Sequence, residues 1–291
     1  MIKNVLSAFD GMSCGQIALN KAGISYDNYY ASEIDKYAIE VTQYNYPNTI
    51  QLGDITKINI NELPTIDLLI GGSPCQGFSF AGKQLNFEDP RSRLFFEFVK
   101  LKNTLNPKYF LLENVRMKKE YIDVISEYLG VEPILINSSK FSAQNRERLY
   151  WTNIPITTTI EDKNILLKDI LEDDGDFKYG ECELKEFNEN SICHHIGNAL
   201  DINGNDSIKR IYASSGKSPT LDTMQGGNRH PKVLINGTNS YRRLTPLECE
   251  RLQTVPDNYT SIVSNSQRYK MLGNGWTVDV IAFIFNQLKE F

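Results

Sequence analysis

The sequence predicts an α/β fold with a mostly parallel sheet and a smaller inserted domain. Short apolar runs alternate with helix-like segments over the first 155 residues, a pattern typical of βαβ units. From about residue 176 to residue 240 the alternation stops, and Asn, Gly, Ser and Asp dominate, which indicates a loop-rich second domain. Apolar helical spacing returns between Val278 and Leu288, so we expect this segment to pack back on the first domain.

The predicted elements of the first domain follow one another in βαβ order. A buried strand at residues 5–9 ends in a glycine-containing turn at residues 10–15, and the helix after it stops at Gly23. A second strand is predicted at residues 29–31, followed by a helix from about residue 35 to residue 44. The remaining runs predict strands at 66–70 and 109–112, with a helix at 94–101 between them.

Polar or reactive residues follow the predicted strands, at the sheet edge where α/β proteins bind ligands. These residues are Asp10, Glu33, Asp54, Cys75 and Glu113. The first turn lacks the GxGxxG spacing that a diphosphate needs, and an acidic Asp10 suits a ligand with an ammonium and a sulfonium, such as S-adenosylmethionine. Glu33 is then placed for two ribose hydroxyls, and Asp54 for an adenine amino group.

The segment around Cys75 is the sharpest chemical feature of the sequence. A cysteine between Pro74 and a glycine-containing loop, at the end of a strand, is expected to be presented outward, whereas most free cysteines are buried. A nucleophilic thiolate needs nearby positive charge, which the basic pair Arg146 and Arg148 could supply. Glu113 ends the next predicted strand and should stand beside Cys75.

In ordered blocks the chain resembles the cytosine-C5 DNA methyltransferases of bacterial and phage type. The blocks are FDGMSCG, Glu33, GD at 53–54, GGSPCQGFS, ENV, QNRER, RRLTPLECERLQTVPDNY and MLGNGWTVDVI. The resemblance implies a Rossmann-like S-adenosylmethionine-dependent methyltransferase fold with a smaller inserted target-recognition domain. It implies a catalytic and cofactor-binding domain at 1–175, completed by 265–291, and a target-recognition domain with a hinge at 176–264.

The resemblance also implies the reaction and the residues that carry it. A methyl group would pass from S-adenosylmethionine, which leaves as S-adenosylhomocysteine, to C5 of a flipped-out cytosine in a specific duplex DNA sequence, with no metal. Cys75 would add to C6, Glu113 would hydrogen-bond N3, and Arg146 and Arg148 would serve the flipped base and its O2. The residues implied for the cofactor are Phe9, Asp10, Gly11, Ser13, Cys14, Gly15, Glu33, Ile34, Asp54, Ile55, Pro74, Leu94, Asn274 and Trp276.

Charge is distributed unevenly along a chain whose net charge is −5. Residues 160–190 hold eleven acidic and four basic residues, a balance of −7, whereas residues 207–251 hold eight basic and three acidic residues, a balance of +5. The second segment predicts a local phosphate-binding surface, and its loops offer side chains that read base edges. The residues expected to contact DNA are Gln76, Ser79, Thr220, Gln225, Arg229 and Arg242.

Composition sets the expected location and partners. No apolar run is long enough to span a membrane and no signal peptide is visible, so we expect a cytoplasmic protein in a bacterial or phage-infected host cell. Five scattered cysteines favour a reducing compartment and argue against a metal site. We expect a monomer that binds double-stranded DNA and no membrane. A cognate restriction endonuclease, phage self-protection and a regulatory role all stay open.

Three other functions compete with this interpretation. An RNA cytosine methyltransferase uses the same chemistry, but the Cys-Phe-Thr run of the RNA-acting branch is absent from this sequence. A non-catalytic DNA-binding protein on the same scaffold is disfavoured because every implied catalytic position is intact. A nicotinamide dehydrogenase is disfavoured by the missing GxGxxG.

Overall fold

The computed structural model of the protein describes residues 1–73, 90–175 and 177–290. By contacts the chain divides into two compact units. Unit 1 comprises Met1–Ile136, Glu147–Thr159 and Val280–Phe291, and unit 2 comprises Asn137–Arg146 and Ile160–Asp279. Residues 137–146, 160–175 and 265–279, which were predicted to belong to the first domain, belong to unit 2.

Unit 1 is built on a sheet of seven strands in the order β3-β2-β1-β4-β5-β7-β6. The five strands from β3 to β5 are parallel to their neighbours, and β7 runs antiparallel to β5. This confirms the predicted α/β class with a mostly parallel sheet. The strands are β1 (Asn4–Ala8), β2 (Asn28–Ser32), β3 (Ile50–Gln51), β4 (Leu68–Gly72), β5 (Tyr109–Val115), β6 (Ile134–Asn137) and β7 (Glu147–Thr152).

The helices begin and end where the sequence supplies suitable caps. The Asp35 side chain accepts a hydrogen bond from the Tyr37 amide at 3.0 Å and starts the second helix, and Gly130, with a φ of 74°, ends the fourth. The helices are α1 (Cys14–Lys21), α2 (Lys36–Asn45), α3 (Pro90–Leu105), α4 (Lys119–Leu129), α5 (Asp206–Lys209), α6 (Pro246–Leu252), α7 (Asn265–Asn274) and α8 (Val278–Asn286).

The core of unit 1 lies between its sheet and its helices. Leu6, Leu69, Leu112 and Trp151 come from four strands and are fully buried with Phe98 of α3. Burial of one such side chain stabilises the fold by about 1.5–3 kcal/mol. The apolar runs that predicted β1, β4 and β5 are therefore the central strands of this core.

Unit 2 contains a closed barrel, which the sequence analysis missed when it predicted a loop-rich domain. Its five strands follow the order β10-β11-β12-β8-β9. Cys182 points into the barrel core beside Ile211 and Tyr241, so this thiol has a packing role. The strands are β8 (Tyr179–Leu184), β9 (His195–Ala199), β10 (Arg210–Tyr212), β11 (Lys232–Leu234) and β12 (Ser240–Arg243).

Two buried glutamates of α6 organise the rest of unit 2. Glu248 accepts two hydrogen bonds from Arg242 and closes a capping box with Thr245 at the start of the helix. Glu250 accepts the Asn258 amide at 2.7 Å and pairs with Arg268 at 3.1 Å. Both carboxylates are fully buried and multiply hydrogen-bonded, as a buried charge requires. Within the described residues, no helix is both long and apolar enough to cross a membrane.

Candidate active site and cofactor pocket

The turn after β1 is sharp and closely packed. Phe9, Gly11 and Ser13 all have positive φ values, of 58°, 59° and 65°, which is uncommon for residues other than glycine. Gly15 opens α1 against the sheet, where a Cβ atom would lie 2.5 Å from the Tyr29 hydroxyl oxygen. The start of α1 therefore packs against the Tyr29 and Ile70 side chains more closely than any residue larger than glycine would allow. Strained backbone of this kind is typical of ligand sites.

Asp10 is a buried carboxyl group with an unused acceptor. Its Oδ1 accepts a hydrogen bond from the Tyr29 hydroxyl at 2.8 Å, while Oδ2 is buried and has no hydrogen-bond partner among the described residues. Burial raises the pKa of Asp10 to about 6, and the hydroxyls of Ser7, Tyr29 and Ser13 oppose that rise. An orphaned buried acceptor is destabilising in isolation, and a bound ammonium would satisfy it.

Glu33 is held at the end of β2 by three backbone amides. Its Oε2 accepts the Gly11 amide at 2.8 Å, and its Oε1 accepts the amides of Ile34 at 2.7 Å and Asp35 at 2.8 Å. The hydrogen bond from Gly11 joins Glu33 to the turn that contains Asp10. Each carboxylate oxygen has lone pairs left for a further donor, such as a ribose hydroxyl.

Asp54 and the neighbouring isoleucines form the next part of this edge. The Asp54 Oδ1 accepts hydrogen bonds from the backbone amide and the hydroxyl of Thr56, at 3.0 and 2.8 Å. The hydrogen bond from the amide is the main reason that the pKa of Asp54 is lowered. Ile34 is 77% exposed, whereas Ile55 is buried. Leu94 of α3 is half-buried and packs on the unit 1 core.

Glu113 and Arg148 form a shielded ion pair at the ends of β5 and β7. The Arg148 Nε lies 2.9 Å from the Glu113 Oε1, and only 13% and 11% of the two side chains are exposed. Glu113 pairs with Gly72 across the sheet, and Asn114 donates a hydrogen bond to the Ser73 hydroxyl at 3.1 Å. The ion pair therefore lies beside the strand end from which the chain continues to residue 75.

Four of the predicted residues lie outside the part of the chain that the structure describes. They are Pro74, Cys75, Gln76 and Ser79. The predicted proximity of Cys75 to Glu113 therefore stays a prediction. The register of β4 and β5 supports it, because Gly72 stands opposite Glu113 and only two residues separate Gly72 from Cys75.

The structure argues against the predicted contact between Arg146 and a flipped base. Arg146 is 3% exposed. Its guanidinium donates to the carbonyl oxygens of Leu221 at 3.0 Å, Gly273 at 3.2 Å and Gly275 at 3.0 Å, all within unit 2. A guanidinium committed to three buried carbonyls would have to give up these hydrogen bonds to meet a base.

One predicted DNA contact is also corrected. Arg242 is 6% exposed, pairs with Glu248 at 2.7 and 2.9 Å, and has its guanidinium 4.1 Å from the centre of the Phe177 ring. It stabilises unit 2 and is not available to a phosphate or a base edge. Thr220, Gln225 and Arg229 are exposed, and their contacts with DNA stay predictions.

A polar cleft in unit 2 brings two of the predicted DNA contacts together. It has a volume of about 390 Å³, and Thr220, Asp222, Arg229, His230 and Lys232 are among its lining residues. The Lys232 ammonium is held by three backbone carbonyls, and burial lowers its pKa to about 8. The cleft thus combines the exposed Arg229 with polar side chains such as Thr220 and Asp222, next to a lysine that backbone carbonyls hold in place.

Two residues predicted for the cofactor belong to unit 2. Asn274 is the last residue of α7 and is exposed, and Trp276 follows it and is buried. Gln144, Gln253 and Thr277 were not predicted as site residues, but they are buried and hydrogen-bonded around this turn. Gln144 belongs to the QNRER block, so its place in that block was the available signal.

The strand order and the acidic edge after β1 and β2 define a Rossmann-like methyltransferase fold. A family model described as C-5 cytosine-specific DNA methylase matches residues 3–290, and the chain belongs to this family. The match confirms the resemblance found in the sequence. Enzymes of this family methylate C5 of cytosine in DNA.

Curated relatives come from phages and bacteria. The orphan methyltransferase M.SPRI of Bacillus phage SPR is 29% identical, with 98% of this chain and 97% of the relative covered. The type II methyltransferase M.HhaI of Haemophilus parahaemolyticus is also 29% identical, with 96% and 92% covered. The type II methyltransferase M1.ScrFI of Lactococcus lactis subsp. cremoris is 31% identical, with 90% of this chain and 72% of the relative covered.

Solved structures share the fold at low identity. The Entamoeba histolytica methyltransferase EhMeth has a TM-score of 0.75 at 16% identity, covering 100% of this chain and 98% of the other. The S. pombe Dnmt2 methyltransferase has a TM-score of 0.70 at 17% identity, covering 99% and 98%.

Proposed function

We propose that this protein methylates C5 of a flipped-out cytosine in a specific duplex DNA sequence, with S-adenosylmethionine as the donor and Cys75 as the nucleophile. The observation that carries the proposal is the shielded Glu113–Arg148 pair, with 2.9 Å between Oε1 and Nε. N3 and O2 are adjacent on one edge of cytosine. A carboxyl group and a guanidinium already in contact match that edge as a unit.

The chemistry explains why these residue types are needed. C5 of cytosine is a poor nucleophile, so the Cys75 thiolate adds to C6 and the displaced ring electrons accumulate at C5. In its protonated form, reached by taking up a proton from solvent, Glu113 donates a hydrogen bond to N3, and Arg148 donates hydrogen bonds to O2, so both reduce the charge that develops on the ring. After the methyl group has joined C5, loss of the C5 proton and of the Cys75 sulfur restores the aromatic ring. The base must leave the stack first, at a cost of a few kcal/mol.

The residues of the first sheet edge fit S-adenosylmethionine, which supplies an electrophilic methyl group on a sulfonium when bound. The buried Asp10 Oδ2 without a partner suits the amino group of the methionine part. Glu33 would accept the ribose hydroxyls, Asp54 the adenine amino group, and the exposed Ile34 would cover one face of the adenine. The other cofactor residues implied by the resemblance, including Pro74, Asn274 and Trp276, belong to the same proposal.

For unit 2 the proposal is target recognition. The barrel strands at residues 179–243 lie inside the segment 176–264 that the sequence assigned to this role. Thr220 and Arg229 line the polar cleft, and Gln225 is exposed on the same segment. Arginine and glutamine pair with guanine and adenine in the major groove. Gln76 and Ser79 stay proposed DNA contacts. We also propose that the enzyme is a monomer and acts in the cytoplasm.

Bisulfite sequencing of DNA from a host that expresses the protein tests the reaction. We expect methylated cytosine in a single sequence context, and none with Cys75→Ser. Cys193→Ser is the matched control, because this thiol lies in unit 2 and is only partly exposed. Unchanged methylation in Cys75→Ser would refute the nucleophile.

Two further measurements separate the alternatives. Wild-type protein should form a covalent complex with 5-fluorocytosine DNA, whereas Cys75→Ser should not, although it should still bind the cofactor. Labelled cofactor offered with duplex DNA and with tRNA tests the substrate. Label on RNA alone would favour an RNA cytosine methyltransferase.

A further inference from the structure

Residues 143–146 run alongside residues 218–221 in unit 2. The Ser218 amide donates to the Ala143 carbonyl at 2.7 Å, and the Asn145 amide donates to the Ser218 carbonyl at 2.8 Å. The Thr220 hydroxyl donates to the Asn145 carbonyl at 2.7 Å. The segment that carries Thr220 is thus fixed to the QNRER block by backbone and side-chain hydrogen bonds.

The Gln144 side chain extends this connection to α6. Gln144 is fully buried, its Oε1 accepts the Leu221 amide at 2.9 Å, and its Nε2 donates to the Gln253 Oε1 at 3.1 Å. Gln253 in turn donates to the Leu272 carbonyl at 2.6 Å and accepts from the Thr277 hydroxyl at 2.8 Å. The same network therefore reaches both ends of the turn at residues 272–277.

Arg146 spans the same two segments directly. One terminal nitrogen donates to the Leu221 carbonyl at 3.0 Å. The other donates to the carbonyls of Gly273 at 3.2 Å and Gly275 at 3.0 Å, which flank Asn274 on either side. The planar guanidinium fork can serve all three acceptors at once, and charge-assisted hydrogen bonds of this kind are among the stronger ones.

At Gly273 the two segments meet backbone to backbone. A Cβ atom at this position would overlap the carbonyl group of Asp222, and it would lie 2.7 Å from the Thr223 nitrogen. These are main-chain atoms that cannot rotate away as a flexible side chain could. Residues 222–223 and the turn around Asn274 are therefore in direct main-chain contact, so neither can shift toward the other.

We infer that Arg146, supported by Gln144, is a positioning residue that couples the DNA-reading segment at 218–223 to the cofactor-side turn at 272–277. The inference rests on the proposed function, in which Thr220 meets DNA and Asn274 meets the cofactor. Arg146 acts through the segments it holds and does not contact the flipped base. A coupling of this kind makes cofactor binding and DNA binding strengthen each other by the same factor.

The test compares DNA affinity with and without S-adenosylhomocysteine, which binds without turnover. Fluorescence anisotropy gives the Kd for an unmethylated duplex that contains the sequence identified by bisulfite sequencing, and for a duplex of scrambled sequence. For wild-type protein we expect S-adenosylhomocysteine to tighten binding of the first duplex by about fivefold or more. In Arg146→Lys the coupling factor should fall to about two or less. A lysine lacks the planar fork that places one nitrogen at the Leu221 carbonyl and the other at the Gly273 and Gly275 carbonyls.

Two control variants distinguish positioning from other roles. Arg148→Lys should lower kcat while the coupling factor stays near that of the wild type. Arg242→Lys changes another buried arginine of unit 2 and should also keep the coupling factor. Thr277→Val removes one hydrogen bond of the network without burying a charge, so it should lower the factor in part even if Arg146→Lys does not fold.

The outcomes are separable from those of the proposed function. A wild-type protein that methylates DNA but shows no coupling would overturn the inference, and so would a coupling factor unchanged in both Arg146→Lys and Thr277→Val. A loss of kcat in Arg146→Lys with unchanged affinities would restore the predicted base contact. Absence of cytosine methylation by the wild-type protein would instead reject the proposed function itself.

Discussion

At the scale of single residues, Asp10 makes stability depend on pH in an unusual direction. Its folded pKa of about 6 lies above the ordinary value of 3.8, so the neutral form favours folding and ionisation opposes it. The contribution is complete below pH 3.8 and is lost as the pH rises through 6. Between pH 5 and pH 7.5 the wild type should lose about 1–2 kcal/mol of unfolding free energy relative to Asp10→Asn. Denaturant unfolding of both proteins at the two pH values measures this loss. If the difference in unfolding free energy between the two proteins were the same at both pH values, the raised pKa of Asp10 would be contradicted.

The same carboxyl should set the affinity for the cofactor. An ionised Asp10 attracts the amino group of S-adenosylmethionine, whereas a neutral amide or acid does not. Calorimetric titration at pH 7.5 should show binding weakened by about tenfold or more in Asp10→Asn, corresponding to about 1.4 kcal/mol. Asp27→Asn is a suitable control, since Asp27 follows α1 in unit 1 and has no role in the proposed site. Equal affinities of the wild type and Asp10→Asn would remove Asp10 from the cofactor site.

Glu113 is the residue whose change should separate chemistry from binding. Glu113→Gln keeps the size of the side chain but cannot give a proton to N3. We expect kcat to fall by about 10²–10³-fold, as it does when one charge-stabilising donor is lost. S-adenosylhomocysteine affinity should stay within about twofold, which calorimetry can establish. A similar loss of cofactor affinity would mean that Glu113 acts on the pocket and not on the base.

At the scale of elements, the sequence predicted the strands that are buried on both faces. β1, β4 and β5 are nearly continuous apolar runs, and this is the pattern of parallel strands covered by helices. The barrel strands were missed because they are short and half-exposed, as in Tyr179–Leu184, where only Cys182 is buried. Such segments have the composition of loops.

The candidate site was predictable where the residue type alone carries the chemistry. Asp10, Glu33 and Glu113 lie at strand ends, where a sequence reader can place them. Arg146 was assigned to the flipped base because the resemblance implies that role, and Arg242 was assigned to DNA because it lies in the basic segment 207–251. Their actual partners are carbonyls and Glu248 from distant parts of the chain, which no local pattern reveals.

The Arg242–Glu248 pair should be a strong determinant of unit 2 stability. Arg242→Ala would leave Glu248 as a fully buried carboxylate without its main counter-charge, at a cost of about 3–5 kcal/mol. Arg229→Ala is the matched control in the same unit, because Arg229 is exposed and lies 4.0 Å from Asp222. It should change the unfolding free energy by less than about 0.5 kcal/mol. Chemical denaturation of both variants checks this, and equal losses would contradict the structural assignment of Arg242.

At the scale of the whole molecule, an acidic protein has to bind a polyanion. The net charge is −5, so attraction to DNA must come from local clusters of cations. The basic segment 207–251 supplies fewer exposed cations than its composition suggests, because Lys217, Lys232 and Arg242 are buried and hydrogen-bonded within unit 2. Arg210, Arg229 and Arg243 are the exposed arginines of this segment among the described residues.

Salt dependence of DNA binding can count these contacts. Each phosphate that a protein cation neutralises adds about −0.9 to the slope of log affinity against log salt concentration. Arg229→Gln should therefore make the slope less steep by about one if Arg229 meets a phosphate, and Arg243→Gln likewise. Lys119→Gln is the control, since Lys119 is exposed in unit 1 and paired with Asp123 at 2.7 Å. An Arg229→Gln variant that keeps the wild-type slope but binds different sequences would show that Arg229 reads a base. A wild-type DNA affinity that does not depend on salt concentration would contradict phosphate binding by the segment 207–251.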